Sequence, residues 1–130
     1  YGNDTATAAT KGPLSATRRY NAATGNASFG YVASNGDNSD TSVDRIDYSN
    51  DTATASPKGP LSAASRYMGA TSTSSFGYFA GGQDGSSNVH SRIDRIDYSS
   101  DTSTTSPKGN LSIAKNKSAG VSARQSGLPN

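Results

Sequence analysis

Chemistry requires particular side chains at particular spacings, and few are available here. The single histidine is His90, inside the polar stretch "QDGSSNVHS" that ends at Ser91. Nucleophilic catalysis places a base beside a hydroxyl or thiol, so a Ser–His–Asp arrangement could form only around that loop. The ordinary reading of His90 is a surface loop residue. The chain holds no Cys and one His, which excludes disulfides, thiolate sites and the multi-histidine copper or zinc centres of some enzymes. Gly36 to Asp40, "GDNSD", has oxygen ligands in a row but lacks the full spacing and closing Glu of a calcium loop. A polar turn is the expectation, with no metal and no cofactor.

Carboxylate pairs for glycoside hydrolysis are conceivable because Asp is common. The Asp residues recur with a long internal repeat, however, which marks them as fold-forming. Sequons at Asn3, Asn26, Asn50, Asn110 and Asn116 are the chance product of a chain rich in Asn, Ser and Thr. No enzyme is expected.

The elements that would position any site come from the repeat. "DRIDYSNDTATASPKGPLS", Asp44 to Ser62, returns at Asp94 to Ser112 with 15 of 19 positions identical. A partial copy, "YGNDTATAATKGPLS", begins at Tyr1. Tyr1, Tyr48 and Tyr98 are spaced by 47 and 50 residues, and Phe29-Gly30-Tyr31 recurs 47 residues later as Phe76-Gly77-Tyr78. Periods of that length belong to architectures in which each unit is one supersecondary element. The second unit divides into Arg66 to Thr71, Ser75 to Ala80, Arg92 to Tyr98 and Thr102 to Ser106, closed by Pro107-Lys108-Gly109. Short β-branched and aromatic runs separated by turn residues predict antiparallel strands, so the fold class is all-β. Alternation puts Ile46 and Tyr48 on one face, with Arg45 and Asp47 on the other as a solvated pair; Ile96, Tyr98, Arg95 and Asp97 follow suit. Asp51 and Asp101 are expected to bond nearby amides in tight hairpins.

Composition sets limits. Leu, Ile, Val and Phe number 15 of 130 residues, below the level at which disorder becomes common, although a net charge of +2 withholds the usual companion signal. The repeats argue for order. Basic residues are scattered without interleaved aromatics, so no nucleic acid is expected. No apolar run reaches the ~20 residues of a membrane span.

Four strands per unit, the doublet Gly81-Gly82, a Tyr after the third strand and a Thr-led fourth resemble a kelch-type β-propeller blade. Tyr48-Ser49-Asn50-Asp51-Thr52 matches one of that family's stretches. Leu61-Ser62 followed by Arg66, and Leu14-Ser15 followed by Arg18 and Arg19, match another. The family's Trp is replaced by Ala8, Ala55 and Thr105, and Ser34-Asn35 stands where a second doublet would be. The wording also resembles long repeat proteins of marine bacteriophages, especially those infecting cyanobacteria, which are virion fibres or appendages. The resemblance implies residues 1–15 as the end of a preceding blade, 16–62 and 63–112 as two blades, and 113–130 as a trailing first strand (Lys117 to Arg124) with a C-terminal tail.

Propellers close with about four to eight blades, so the partners expected are additional blades, from a longer chain or from other protomers. The function implied is a non-enzymatic extracellular structural or attachment protein on a virion surface, the alternative being a cellular adhesin or glycan-binding propeller. The loops Ser34 to Ser42 and Gly81 to Ser91 differ most between units. Host-surface glycan is therefore assigned to Tyr31, Asn35, Asp37, Tyr78, Gln83, Asp84, Asn88 and His90.

Overall fold

A computed structural model describes residues 7–34 and 39–121 of the chain; Tyr1, Asn35, Asp37 and Arg124 lie outside these. The described residues are all-β. β1 (Ala22–Gly25), β2 (Phe29–Ala33), β3 (Val43–Asp47) and β4 (Ser56–Lys58) form one antiparallel meander. β5 (Gly69–Ser72), β6 (Phe76–Ala80), β7 (Arg92–Asp97) and β8 (Ser106–Asn110) form a second in the same order. A single turn of 3-10 helix follows each third strand, at Tyr48–Asn50 and Tyr98–Ser100. Asp47 and Asp97 cap these turns, each accepting the amide and hydroxyl of the serine two residues on. Those hydrogen bonds hold both carboxyls below the usual Asp range.

Two expectations change here. Tyr98 opens the 3-10 turn instead of ending β7. The fourth strand is Ser106–Asn110, not Thr102 to Ser106, so Pro107-Lys108-Gly109 lies inside the strand that it was expected to close. The reason is position: β4 and β8 are edge strands, each paired on one side only, and an edge has room for a residue without an N–H to donate.

The sheets stack face to face. Tyr31, Ala33, Val43 and Ala22 from the first sheet meet Phe79 and Ile96 from the second, with Leu61 and Met68 from the connection completing the core. Register places Tyr31 opposite Arg45 and Ala33 opposite Val43 on one face. In the second sheet it places Phe79 opposite Asp94, and Gly77 opposite Ile96. The two contacting faces are therefore different faces of the unit, and stacking is head to tail. Tyr98 stacks on Tyr31 with ring centroids 4.9 Å apart and planes 13° from parallel. A Cβ on Gly77 would stand 2.8 Å from the Tyr98 hydroxyl and 2.6 Å from a Thr24 methyl, so the glycine of "FGY" is what admits the close approach.

The same contacts recur along the chain. Gly59 N donates to Asp101 O and Thr105 N to Pro60 O; Gly12 N and Ala55 N make the matching bonds to Asp51 O and Pro13 O. Residues 9–15 thus lie on the first sheet as the end of β4 lies on the second. Tyr67 N donates to Tyr20 O and Lys117 N to Tyr67 O, through three left-handed residues at φ 56°, 58° and 53°. Thr24 Oγ1 bonds Thr71 O, and Thr71 Oγ1 bonds Val121 O. Residues 117–121 therefore run beside β5 as β5 runs beside β1, without being a regular strand.

Candidate functional site

The most developed polar constellation lies between the sheets. Asp101, on the turn after the second 3-10 helix, sends its carboxylate across to the first sheet. Tyr31 OH donates to Oδ2 at 2.9 Å and Arg45 Nη1 to the same oxygen at 2.8 Å, while Lys58 Nζ lies 3.6 Å from Oδ1. Arg45 is placed by its guanidinium stacking over Phe29 at 4.4 Å. Burial, with the carboxylate beside it, holds the Tyr31 phenol well above its usual range. Arg45 is consequently no solvated surface residue: its side chain is 25% exposed. Asp101 serves the neighbouring sheet instead of a local hairpin amide, because the 3-10 turn is already capped by Asp97.

A second carboxylate clasp joins each connection to the sheet that follows it. Asp44, with a fully buried side chain, accepts from Ser15 N (2.8 Å), Ser15 Oγ (2.7 Å) and Arg18 Nε (3.1 Å), with Arg18 Nη2 2.9 Å away. The paired arginine contact is bidentate, which adds both strength and direction. Asp94 repeats the role, taking Ser62 Oγ at 2.6 Å and Ser62 N at 3.3 Å. Its cation, however, is Arg92, with Nε at 3.4 Å. The residue 47 positions after Arg18 is Ser65, and the residue 50 positions before Arg92 is Ser42. Arginine and serine have traded places between units, and each Asp keeps one guanidinium.

That exchange accounts for His90. It occupies the place held by Asp40 in the first unit. Asp40 lies 3.7 Å from Arg18, and His90 Nε2 lies 3.0 Å from Ser65 Oγ. Ser65 is buried and also donates to Gly81 O, while His90 Nδ1 is buried without a hydrogen-bond partner. A catalytic histidine is oriented by a third group on its other nitrogen. The pair holds a loop down. Burial, then the Arg92 charge, pushes the His90 pKa below its ordinary 6.5. The unfolded chain therefore binds the extra proton first as pH falls. Stability from neutral His90 is complete above about pH 6.5 and declines as pH drops through the folded value. His90→Gln is expected to flatten melting temperature against pH over that interval, read by thermal melts between pH 7.5 and 5.

The other candidate residues separate. Tyr31 lies at 0% exposure between the sheets and presents nothing to a ligand, because the stacked second sheet covers it. Asn35 and Asp37 lie outside the described residues. Gln83 is in a bridge with Arg66 and with Val89 and accepts from Asn116 Nδ2. Asp84 gathers Ser86 N, Asn88 N and Asn88 Nδ2, and the Asn88 bonds lower its pKa. Gln83, Asp84, Asn88 and His90 thus belong to one internally bonded loop. Tyr78 is elsewhere, half-buried on the outer face of the second sheet opposite Arg95. Arg95 stacks over Phe76 at 4.2 Å and borders an open cleft of about 190 Å³ with Asp97, Ser100, Ser103, Thr104 and Ser106.

Sequence reasoning missed Asp44, Asp94 and Asp101. A signal for the first two was present: each lies two residues before the isoleucine of its "DRI" run, hence on the same strand face, and each unit repeats Leu-Ser upstream. Among the described residues no three His, Cys, Asp or Glu side chains come together as a metal site, and no helix is long and apolar enough to cross a membrane. A scan against protein-family models and a search of curated proteins find no match to this chain.

Proposed function

We propose that this chain is a non-enzymatic structural and attachment protein of an extracellular particle, built from kelch-like blades and belonging to a phage virion fibre or appendage. The observation that carries this reading is the duty of its polar residues. Of the residues best placed for chemistry, Asp101, Tyr31 and Arg45 hold one sheet to the next, while Asp44 with Arg18, and Asp94, hold each connection to its sheet. A scaffold of that kind leaves recognition to its least repetitive surface. Here that surface is the loop from Asp84 to Asn88, exposed at its tip and tied at its base by Gln83 and His90. Its partner would be a host-surface glycan met by Asp84, Asn88 and the adjoining polar groups.

A glycan array probed with the whole chain and with a variant scrambled from Gly85 to Asn88 tests this. Those positions leave the Gly81 and Gly82 turn and the His90–Ser65 contact in place. Loss of signal from the scrambled chain, with unchanged melting temperature, is the expected result. Equal signal from both would remove the attachment role and leave only scaffolding.

A further inference from the structure

The outer face of the second sheet repeats the covered face of the first. Phe76, Tyr78 and Arg95 stand at the register positions of Phe29, Tyr31 and Arg45, and Arg95 stacks on Phe76 as Arg45 does on Phe29. Lys108 follows Pro107 on the edge strand as Lys58 follows Pro57. The first set grips the Asp101 carboxylate; of the second, Arg95 borders an open cleft. Glycine gives the same contrast. A Cβ on Gly59 would meet Ser103 O at 1.9 Å, whereas one on Gly109 would meet nothing within 4 Å.

The missing element is an aspartate on a 3-10 turn, and the far end of the molecule presents one. Asp51 follows the first such turn and is paired with Lys11 at 3.3 Å, their side chains 40% and 53% exposed. The stretch that lies over it, residues 7–25, makes the hydrogen bonds that residues 54–72 make on the second sheet. Residues 105–121 continue the second sheet in that same pattern, with Lys117 N on Tyr67 O and Thr71 Oγ1 on Val121 O. They can therefore take the place of residues 7–25 on the first sheet of another molecule, with Lys115 standing where Arg18 does. Exchange of identical elements between copies is a low-cost route to assembly.

We propose that copies of this chain join head to tail by this exchange, Asp51 of one copy entering the Tyr78–Arg95–Lys108 cradle of the next. The proposal rests on the scaffold reading above and requires no glycan. The acceptor's first sheet trades the contacts of residues 7–25 for those of residues 105–121, Lys115 facing Asp44 in place of Arg18, so what favours assembly is burial of the outer face together with the carboxylate pairing. Because the two joined surfaces differ, the contact is heterologous and propagates as an open chain.

Sedimentation velocity of the full chain over a concentration series, without glycan, tests it. A ladder of oligomers is expected. Arg95→Glu and Asp51→Arg should each raise the concentration for half-assembly at least tenfold. An equimolar mixture of the two variants should restore assembly, since Asp51 of the first meets Arg95 of the second and the opposite junction is charge-inverted but still complementary. A variant that merely failed to fold would not be restored by mixing. A chain that stays monomeric at millimolar concentration overturns the proposal. So does assembly indifferent to both reversals, or an uronate oligosaccharide bound through Arg95 without any assembly. An array failure with a normal ladder would remove glycan recognition alone.

Discussion

Asp44→Ala is expected to lower the free energy of unfolding by about 3–5 kcal/mol, the cost of removing one partner from a buried ion pair. The magnitude follows from what remains. Arg18 keeps a side chain only 2% exposed, with its guanidinium aimed at an empty space and Ser15 deprived of its acceptor. Guanidinium cannot shed its charge to escape burial. Its remaining contacts, Ser42 Oγ at 2.7 Å and Ser34 O at 3.3 Å, supply dipoles but only Asp40, 3.7 Å away, supplies charge. Urea unfolding of Asp44→Ala beside Asp47→Ala measures it, because Asp47 lies at the surface and its loss removes only a turn cap. The double change Asp44→Leu with Arg18→Leu should recover part of the deficit, since an apolar pair of similar volume leaves no orphaned charge.

Gly59→Ala should cost about 3 kcal/mol, at the upper end of overpacking, through the seam between the sheets. The added carbon would lie 1.9 Å from Ser103 O and 2.4 Å from its carbonyl carbon. Both belong to the backbone, so no rotamer change relieves the contact. Relief requires the turn to retreat, and retreat strains the Gly59 N to Asp101 O bond and the Asp101 cradle together. Gly109→Ala is the control from the next unit. It meets no neighbour but has φ +87°, so its cost is the torsional penalty of about 1–2 kcal/mol. Thermal melts in parallel separate the two causes: added salt should further weaken Gly59→Ala, whose ion pairs are loosened, and leave Gly109→Ala unchanged relative to the parent.

Much of the fold was legible because the repeat carries it. The strand faces followed from "DRIDY", and Ile96 is buried where alternation put it. The strand ends were less legible. Pro107 read as a terminator, whereas an edge strand accommodates it, and edge position depends on strand order that no local pattern encodes. The site was the least legible part. Tyr31 and Tyr78 occupy identical places in identical words, yet one is enclosed and the other faces outward, because a second sheet follows the first and nothing described covers the second. Asp101 reads as a turn residue until its neighbours are known to belong to another sheet. The Arg18–Ser42 and Ser65–Arg92 exchange needed the two units superposed in space, since the partners are 24 and 27 residues apart in the chain.

The connection between the sheets has a consequence for how the molecule breaks. Tethers joining two halves of a protein are commonly its most cleavable stretch, but here Leu61, Ser65 and Met68 are among its most enclosed residues. Exposed stretches include instead the hairpin tips at Ala27 and Ser28, from Thr73 to Ser75 and from Ser86 to Val89. A protease will therefore nick the crowns of the hairpins while the halves stay together, leaving a scarred but undivided molecule.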